Sequence, residues 1–497
     1  MDKMSKWIVK YRNMILAVAI VLLIPSAIGY FNTNINYDLL SYLPSTSESM
    51  KTQKILGDDF NLSSVDFLVV NNKTDQEAVK IKEEINKIDG VEKCIWRDDV
   101  LDISVPKQAI PESIQDMLYS GDSTMMIVTF KEPTSSMRTM NAISKIKKYT
   151  KDDCYLGGIS AISEDTKDQT EHDTPIYAGI AVVLCMIVLF LGLESTIAPV
   201  VFMLGMIFPI VYNFGTNVFL GEISYITKAL AVVLQLAVTL DYSIFLLHRY
   251  QEEKQKLPNE EAMAKAIKAT FTSITSSSIT TIAGFVALCV MQLTLGRDIG
   301  IVMAKGVLIG VVCCVTGLGV LSTIFILPSL LMFFDKTIEK YKHKTILNEL
   351  HRVPRFVIRH YKKILVAFVL IFIPFGYGQA HTNIYYDLIS GMPGDFASII
   401  GTNQLKDKFD MTTTHFVLVD DKLTTNEIQN MCSEIKDLKG IHNVLAYEEF
   451  VGPGLASNFT PSVVKDIFQN EHPFGVEFDT YSLFLHILNE NLISLWR

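Results

Sequence analysis

One carboxylate stands where a carboxylate is costly. Asp241 lies inside an otherwise apolar run, Leu234-Gln-Leu-Ala-Val-Thr-Leu-Asp-Tyr-Ser-Ile-Phe-Leu-Leu-His-Arg-Tyr250, and an acid within a membrane span costs about 3 kcal/mol on insertion scales. Such a group normally faces a bundle interior or a wet cavity, where its chemistry is to load and release a proton. Asp241 precedes Arg249 by eight residues, which at ~1.5 Å per residue sets it roughly 12 Å from the charged end of its helix. The next apolar run opens with hydroxyls, and Ser276, Ser277 and Thr280 fall at a depth similar to that of Asp241. They can hold the carboxyl and a water chain, or can simply let helices approach closely; both readings stay open. His248, two turns from Asp241, is either a further relay group or a solvated boundary histidine.

Other polar residues in apolar runs suggest less chemistry. Lys228 and Lys305 lie near helix ends, where a lysine is expected to snorkel to the interface. Asn213 and Asn217 are candidate interhelical hydrogen-bond donors. Seven cysteines form no CxxC pair, and Cys185, Cys289, Cys313 and Cys314 sit in apolar runs as small core residues. Only Cys94 and Cys154 are placed for a disulfide, which sequence alone does not establish. Asp58-Asp59 and Asp98-Asp99 read as solvated turns. No nucleophile–base set, phosphate loop or metal cluster is evident, so the sequence suggests no enzyme, cofactor or metal, and no nucleic-acid partner.

The elements that must position Asp241 are membrane helices. The chain has 497 residues, 49% hydrophobic and 20% charged, with a mean hydropathy of +0.29. Seven runs are long enough to cross about 30 Å of hydrocarbon: Met14 to Phe31, Pro175 to Leu193, Ile197 to Leu220, Ile226 to Leu247, Phe271 to Leu293, Lys305 to Phe334 and Ile364 to Gln379. The first follows basic residues, but its uncharged core is long for a signal peptide and it reads as an anchor. Lys3, Lys6, Lys10 and Arg12 precede helix 1; Arg249, Lys254, Lys256, Lys265 and Lys268 lie between helices 4 and 5; nine more basic residues lie between Lys336 and Lys363. With seven alternating spans all three groups share one face, which the positive-inside rule makes cytoplasmic.

Two long insertions, 32–174 and 382–497, then face outward, with 16 basic against 25 acidic residues and 7 against 16. They are copies: Thr33-Asn-Ile-Asn-Tyr-Asp-Leu-Leu-Ser-Tyr-Leu-Pro44 matches Thr382-Asn-Ile-Tyr-Tyr-Asp-Leu-Ile-Ser-Gly-Met-Pro393. After one inserted residue the register continues, with Gly90 against Gly440, Pro111 against Pro461 and Asp116 against Asp466. A repeat this long is a duplicated membrane unit, not a solenoid. In the first copy the periodicity predicts strands at Val65–Val70, Val91–Trp96, Met125–Phe130 and near Tyr155, with helices over Asp75–Asp89, near Pro111 and over Ser135–Tyr149. Two βαβ units suggest a ferredoxin-like split βαβ fold. The second copy matches as far as about Phe468.

Leu240-Asp-Tyr-Ser-Ile-Phe-Leu-Leu-His-Arg-Tyr-Gln-Glu-Glu253, with Thr281-Ile-Ala-Gly-Phe-Val-Ala-Leu288, Gly296-Arg-Asp-Ile-Gly300 and Ala304-Lys-Gly306, resembles the MMPL branch of the resistance-nodulation-division (RND) superfamily over nearly the whole chain. The resemblance implies a polytopic α-helical membrane protein of about seven transmembrane helices with two extracytoplasmic α+β porter domains, the second incomplete. Its parts would be a cytoplasmic N-terminus with helix 1 (1–31), porter-like domain 1 (32–174), a sterol-sensing-like bundle of helices 2 to 6 (175–334), a basic cytoplasmic loop (335–363), helix 7 (364–381) and a partial porter-like domain 2 (382–497). It implies proton-driven export of lipids or other hydrophobic molecules across the plasma membrane, with Asp241 and Tyr242 as the proton-relay pair and Ser276, Ser277, Thr280 and His248 in support. The alternative from the same superfamily is a non-transporting lipid sensor. Two departures stand out: Ala237 replaces a glycine common before the aspartate, and the matching Asp-Tyr pair of helix 10 lies beyond what this sequence holds. A truncated frame, a second subunit or homo-oligomer supplying the missing helices, and a genuine seven-helix protein are the open explanations.

Overall fold

In the computed structural model the chain divides into a helical unit, Met1–Asn36 with Thr170–Ser390, and an α/β unit, Tyr37–Gln169 with Gly391–Arg497. The structure describes residues 2–100, 118–311, 325–343, 352–382, 391–445 and 481–488, apart from single or paired positions within them. The expected helix near Pro111, the pairings of Asp116, Gly440, Pro461 and Asp466, and Cys313 and Cys314 lie outside the described residues.

The chain enters the helical unit through α1 (Asp2–Lys10), which buries Ser5, Ile8 and Val9 between its basic positions. Next comes α2 (Arg12–Phe31), uncharged after its first residue, and then the short strand β1 (Asn34–Asn36).

The α/β unit begins with α3 (Glu48–Phe60), β2 (Ser64–Asn71), α4 (Asp75–Asn86), β3 (Val91–Ile95) and the single turn α5 (Arg97–Val100). It continues with β4 (Tyr119–Ser120), β5 (Ser123–Phe130), α6 (Met137–Thr150) and β6 (Cys154–Gly157). The sheet runs β3-β5-β2-β6, antiparallel at every step, with β4 paired to β5. This is the strand order of the expected split βαβ fold. A capping box, Thr74 with Glu77, starts α4 and satisfies two backbone donors there. One sheet face, Leu68, Val70, Met126 and Val128, packs on Ala78 and Ile85 of α4 and on Ile143 and Ile146 of α6. Alternation along the strands puts Phe67, Val69 and Met125 on the other face.

Two features of this sheet were not visible in the sequence. Cys94 and Cys154 are both free and buried, and β3 and β6 are opposite edges of the sheet. Three strand spacings separate those edges by ~14 Å, far beyond the reach of a disulfide. Burial pushes the Cys94 thiol up to about 12 and the Cys154 thiol up to about 11. The second feature is Asp66, fully buried on β2. Its Oδ1 accepts from the backbone N–H of Ser160 at 3.1 Å, while its Oδ2 has no partner. Desolvation therefore pushes the carboxyl up to about 7 against the pull of those donors.

The helix α7 (Ile159–Gly192) leaves the sheet and passes into the helical unit, followed by α8 (Ala198–Gly215), β7 (Glu222–Ser224), α9 (Tyr225–Lys254), α10 (Asn259–Leu288) and α11 (Thr294–Val311). Then come α12 (Leu327–Phe333), α13 (Asp335–Lys340) and α14 (Arg352–Ala380), kinked at His360. Among the described residues five helices are long and apolar enough to cross a membrane: α2, α7, α8 through Leu220, α9 and α10. They correspond to the first five expected runs. Of the sixth expected run, α11 begins earlier than expected, at Thr294, and α12 falls within its later part; the seventh lies within α14. The central helix is α8, with 67% of its most apolar window buried, whereas α7 is peripheral at 6%. Its crossing with α2 is close enough that a Cβ on Gly29 or Gly215 would meet the other helix's backbone, the small-residue contact by which membrane helices associate.

The chain returns to the α/β unit with α15 (Ala397–Phe409), β8 (Thr413–Asp420), α16 (Thr425–Lys436), β9 (Ile441–Leu445) and β10 (Tyr481–Leu488). The sheet order β8-β10-β9 repeats β2-β5-β3, so a third strand stands in the expected place although sequence similarity has faded there. α15 and β8 begin 349 residues after α3 and β2, and the capping box Thr424 with Glu427 falls 350 after Thr74 with Glu77. The inserted residue thus lies in the β8–α16 turn. The first helices of the two copies are exchanged. Leu405 and Phe409 of α15 pack on Phe67, Val69 and Met125 of the first copy. Their counterparts, Leu56 and Phe60 of α3, join Phe416 and Leu418 of the second.

Candidate functional site

The helical unit gathers its charged side chains at one end. Arg12 pairs with Glu260 at 2.9 Å, Lys268 with Asp2 at 2.7 Å and Lys265 with Glu253 at 2.8 Å. Asp335, largely buried, accepts from the Tyr250 hydroxyl (3.0 Å), Lys254 Nζ (2.7 Å) and Asn259 Nδ2 (2.6 Å). These bonds hold α1, α2, α9, α10 and α13 together where the basic loops used for orientation begin. Asp335 was not legible from the sequence, because an acid after an apolar run reads as solvated.

At the other end β1 lies parallel to β7, and α11 grips the turn between α8 and α9. Asp298 Oδ2 accepts from the Ser224 N–H (2.8 Å) and Thr227 Oγ1 (2.5 Å) at the start of α9. Seven residues on, Lys305 Nζ donates to the Asn213 carbonyl (2.8 Å), Thr216 Oγ1 (2.9 Å) and Asn217 Oδ1 (2.6 Å) at the end of α8. An acid at a helix N-terminus and a cation at a C-terminus match both helix dipoles. This corrects the expectation that Lys305 snorkels: three converging oxygens at the end of α8 hold its ammonium inside the bundle. Asn217 accepts here instead of donating, whereas Asn213 Nδ2 donates to Gln235 Oε1 at 3.4 Å as expected.

Between these ends stands Asp241. α9 is amphipathic in an unusual sense: Gln235, Thr239, Tyr242, Ser243 and Leu246 are buried, while Val233, Ala237, Asp241 and His248 lie on the exposed side. Asp241 and Tyr242 therefore point different ways, Tyr242 into the apolar core with Leu246 and Leu247. Among the described residues no hydrogen bond or ion pair engages the Asp241 carboxylate. The neighbouring helix α10 also exposes Ser276, Ser277 and Thr280. Thr280 Oγ1 donates to the Ser276 carbonyl at 3.1 Å, and none of the three is bonded to Asp241. Among the described residues, then, Asp241 is an exposed carboxylate without a hydrogen bond or ion pair, and Ser276, Ser277 and Thr280 are exposed on the adjacent helix α10. Among the described residues no group of three or more His, Cys, Asp or Glu is placed to hold a metal ion.

The apolar helices define a multi-pass membrane protein. The MMPL family model matches residues 41–344, which is more than half of the chain, and the chain belongs to that family. It is 21% identical to MJ1562 of Methanocaldococcus jannaschii over 59% of this chain and 86% of that protein. It is 24% identical to the siderophore exporter MmpL5 of Mycobacterium tuberculosis over 38% of this chain and 21% of that one. It is 22% identical to the apo-petrobactin exporter of Bacillus anthracis over 55% and 37%. The chain therefore spans well under half the length of these two exporters. Membrane transport is the activity of the family, and several relatives are named as transport proteins or exporters.

Proposed function

We propose that the protein exports lipids or other hydrophobic molecules across the plasma membrane, driven by the proton-motive force, with Asp241 and Tyr242 handling the proton. The observation that carries this reading is the placement of Asp241: an exposed carboxylate along α9 that no hydrogen bond or ion pair engages among the described residues. An acid in a span is stable only against further helices or water, so this side of α9 is where proton movement is felt by a packing partner. That partner is a second subunit or another copy of the chain. The end that holds Asp335 is cytoplasmic by its basic residues. The α/β unit is extracytoplasmic, and its two repeats act as porter domains. Siderophores and apo-petrobactin, the cargoes named for two relatives, belong in a first substrate panel beside lipids. Asp241→Asn should abolish gradient-dependent export from membrane vesicles, and export unchanged by that substitution refutes the reading.

A second reading, a lipid sensor, rests on a different observation. A cavity of about 370 Å³ opens among Ala27, Tyr30, Phe31, Thr174, Ile210, Val211, Phe214, Lys228 and Val232, nearly all apolar and suited to a lipid tail. Lipid binding that Ile210→Trp blocks, with no response to a proton gradient, would favour the sensor.

A further inference from the structure

We propose that Lys305 is a second proton-carrying group of the membrane unit, set at the β1–β7 end and separate from Asp241. The inference deepens the reading of the chain as a proton-coupled transporter and rests on it. All three donors of the ammonium are taken by neutral oxygens at the C-terminal end of α8, and among the described residues no carboxylate is paired with it; the Asp298 carboxylate acts on it only at a distance. The charged groups around it are few. Asp298, seven residues back on α11, is committed to Ser224 and Thr227. Glu222 of β7 accepts from Asn36 Nδ2, and Lys228 of α9 lines the apolar cavity on another side. Tyr212 of α8 donates to the Ala19 carbonyl of α2.

The site suits both protonation states. The ammonium donates to Asn217 Oδ1, while Asn217 Nδ2 is buried without a partner. When this end opens to water, the ammonium passes one proton to a water molecule, leaving a neutral amine and a hydronium ion. The amine lone pair then needs a donor, and a half-turn of the Asn217 amide supplies it. From Lys305 a buried polar ladder leads inward. Asn213 donates to Gln235, Gln235 Nε2 reaches the Gly306 carbonyl (3.0 Å) and Thr239 Oγ1 (3.2 Å), and Ser243 Oγ donates to the Thr239 carbonyl (2.7 Å). The ladder passes the level of Asp241 and Tyr242. Gly306 lets the Gln235 and Asn213 side chains lie directly against α11, since a Cβ there would meet Gln235 Oε1 and Asn213 Nδ2.

A cap for the end of α8 needs only a positive charge, which Lys305→Arg retains; a proton carrier needs a group that lets its proton go, which arginine does not. The full chain in liposomes, with a pH dye inside, is tested as wild type, Lys305→Arg, Lys305→Gln and Asp241→Asn, alongside a selective 15N-lysine titration of the wild type in nanodiscs. Proton flux should fall about tenfold or more in both Lys305 variants, and the wild-type Lys305 Nζ resonance should show both an ammonium and a neutral-amine form across the pH range of the flux assay. Wild-type flux in Lys305→Arg overturns the proposal and makes Lys305 a helix cap. If the wild type carries no flux, or Asp241→Asn leaves it unchanged, the transport reading fails instead. Lys305 is then decided by its resonance, which overturns the proposal if it stays that of an ammonium throughout the pH range of the assay.

Discussion

At the scale of single residues, an ionisable group in a membrane span is judged by what it touches. Among the described residues Asp241 makes no hydrogen bond or ion pair, so Asp241→Asn should leave the thermal unfolding of the purified chain unchanged within about 2 °C while removing proton-dependent export. A large loss of stability would show that the carboxylate is structural. Tyr242 fills core space, and Tyr242→Phe should keep the fold and lower transport less severely, because only the hydroxyl is lost. Asp241 was legible in the sequence because a lone acid in an apolar run has few innocent explanations. Lys305 was not, since a lysine near a helix end snorkels by default; the available signal was Asn213, Thr216 and Asn217 clustered at the end of the third run. The side of α9 on which Asp241 lies was also hidden, because helical spacing groups residues on a face without saying what the face meets.

At the scale of elements, two contacts carry measurable consequences. Gly29 and Gly215 let α2 and α8 cross backbone to backbone, and Gly215→Val should cost about 1–3 kcal/mol through overpacking, read as earlier unfolding in a detergent melt. In the α/β unit Asp66 sets a pH dependence. Its folded carboxyl is raised to about 7 against ~3.9 unfolded, so between these values the folded state holds the extra proton and stability falls as pH rises. The loss is complete above about pH 7 and reaches at most roughly 4 kcal/mol. Asp66→Asn should therefore melt close to wild type at about pH 5 and above it at about pH 8; equal differences at both would contradict this account. The strands and helices of the first copy were readable because alternation and helical period are strong there. The exchange of α3 and α15 between the copies was not, since Leu56 and Phe60 or Leu405 and Phe409 declare an apolar face without naming the sheet that receives it.

For the whole molecule, the repeat at 349 residues was the most informative sequence feature, and the reappearance of the sheet order in the second copy gives it a structural form. Among the described residues, the side of α9 that carries Asp241 is exposed. If another copy covers it, Ala237→Cys on the Asp241 side of α9 should cross-link under mild oxidation in native membranes to a species of twice 55.8 kDa, a product absent from wild type; a heterologous partner would give a different mass. The central claim is that protons drive export through Asp241. Its most direct test is efflux of a fluorescent lipid from energised vesicles bearing wild type or Asp241→Asn, with and without an uncoupler. The account predicts efflux by the wild type that collapses with the uncoupler and is missing from the variant. Efflux by both proteins, indifferent to the gradient, would contradict it.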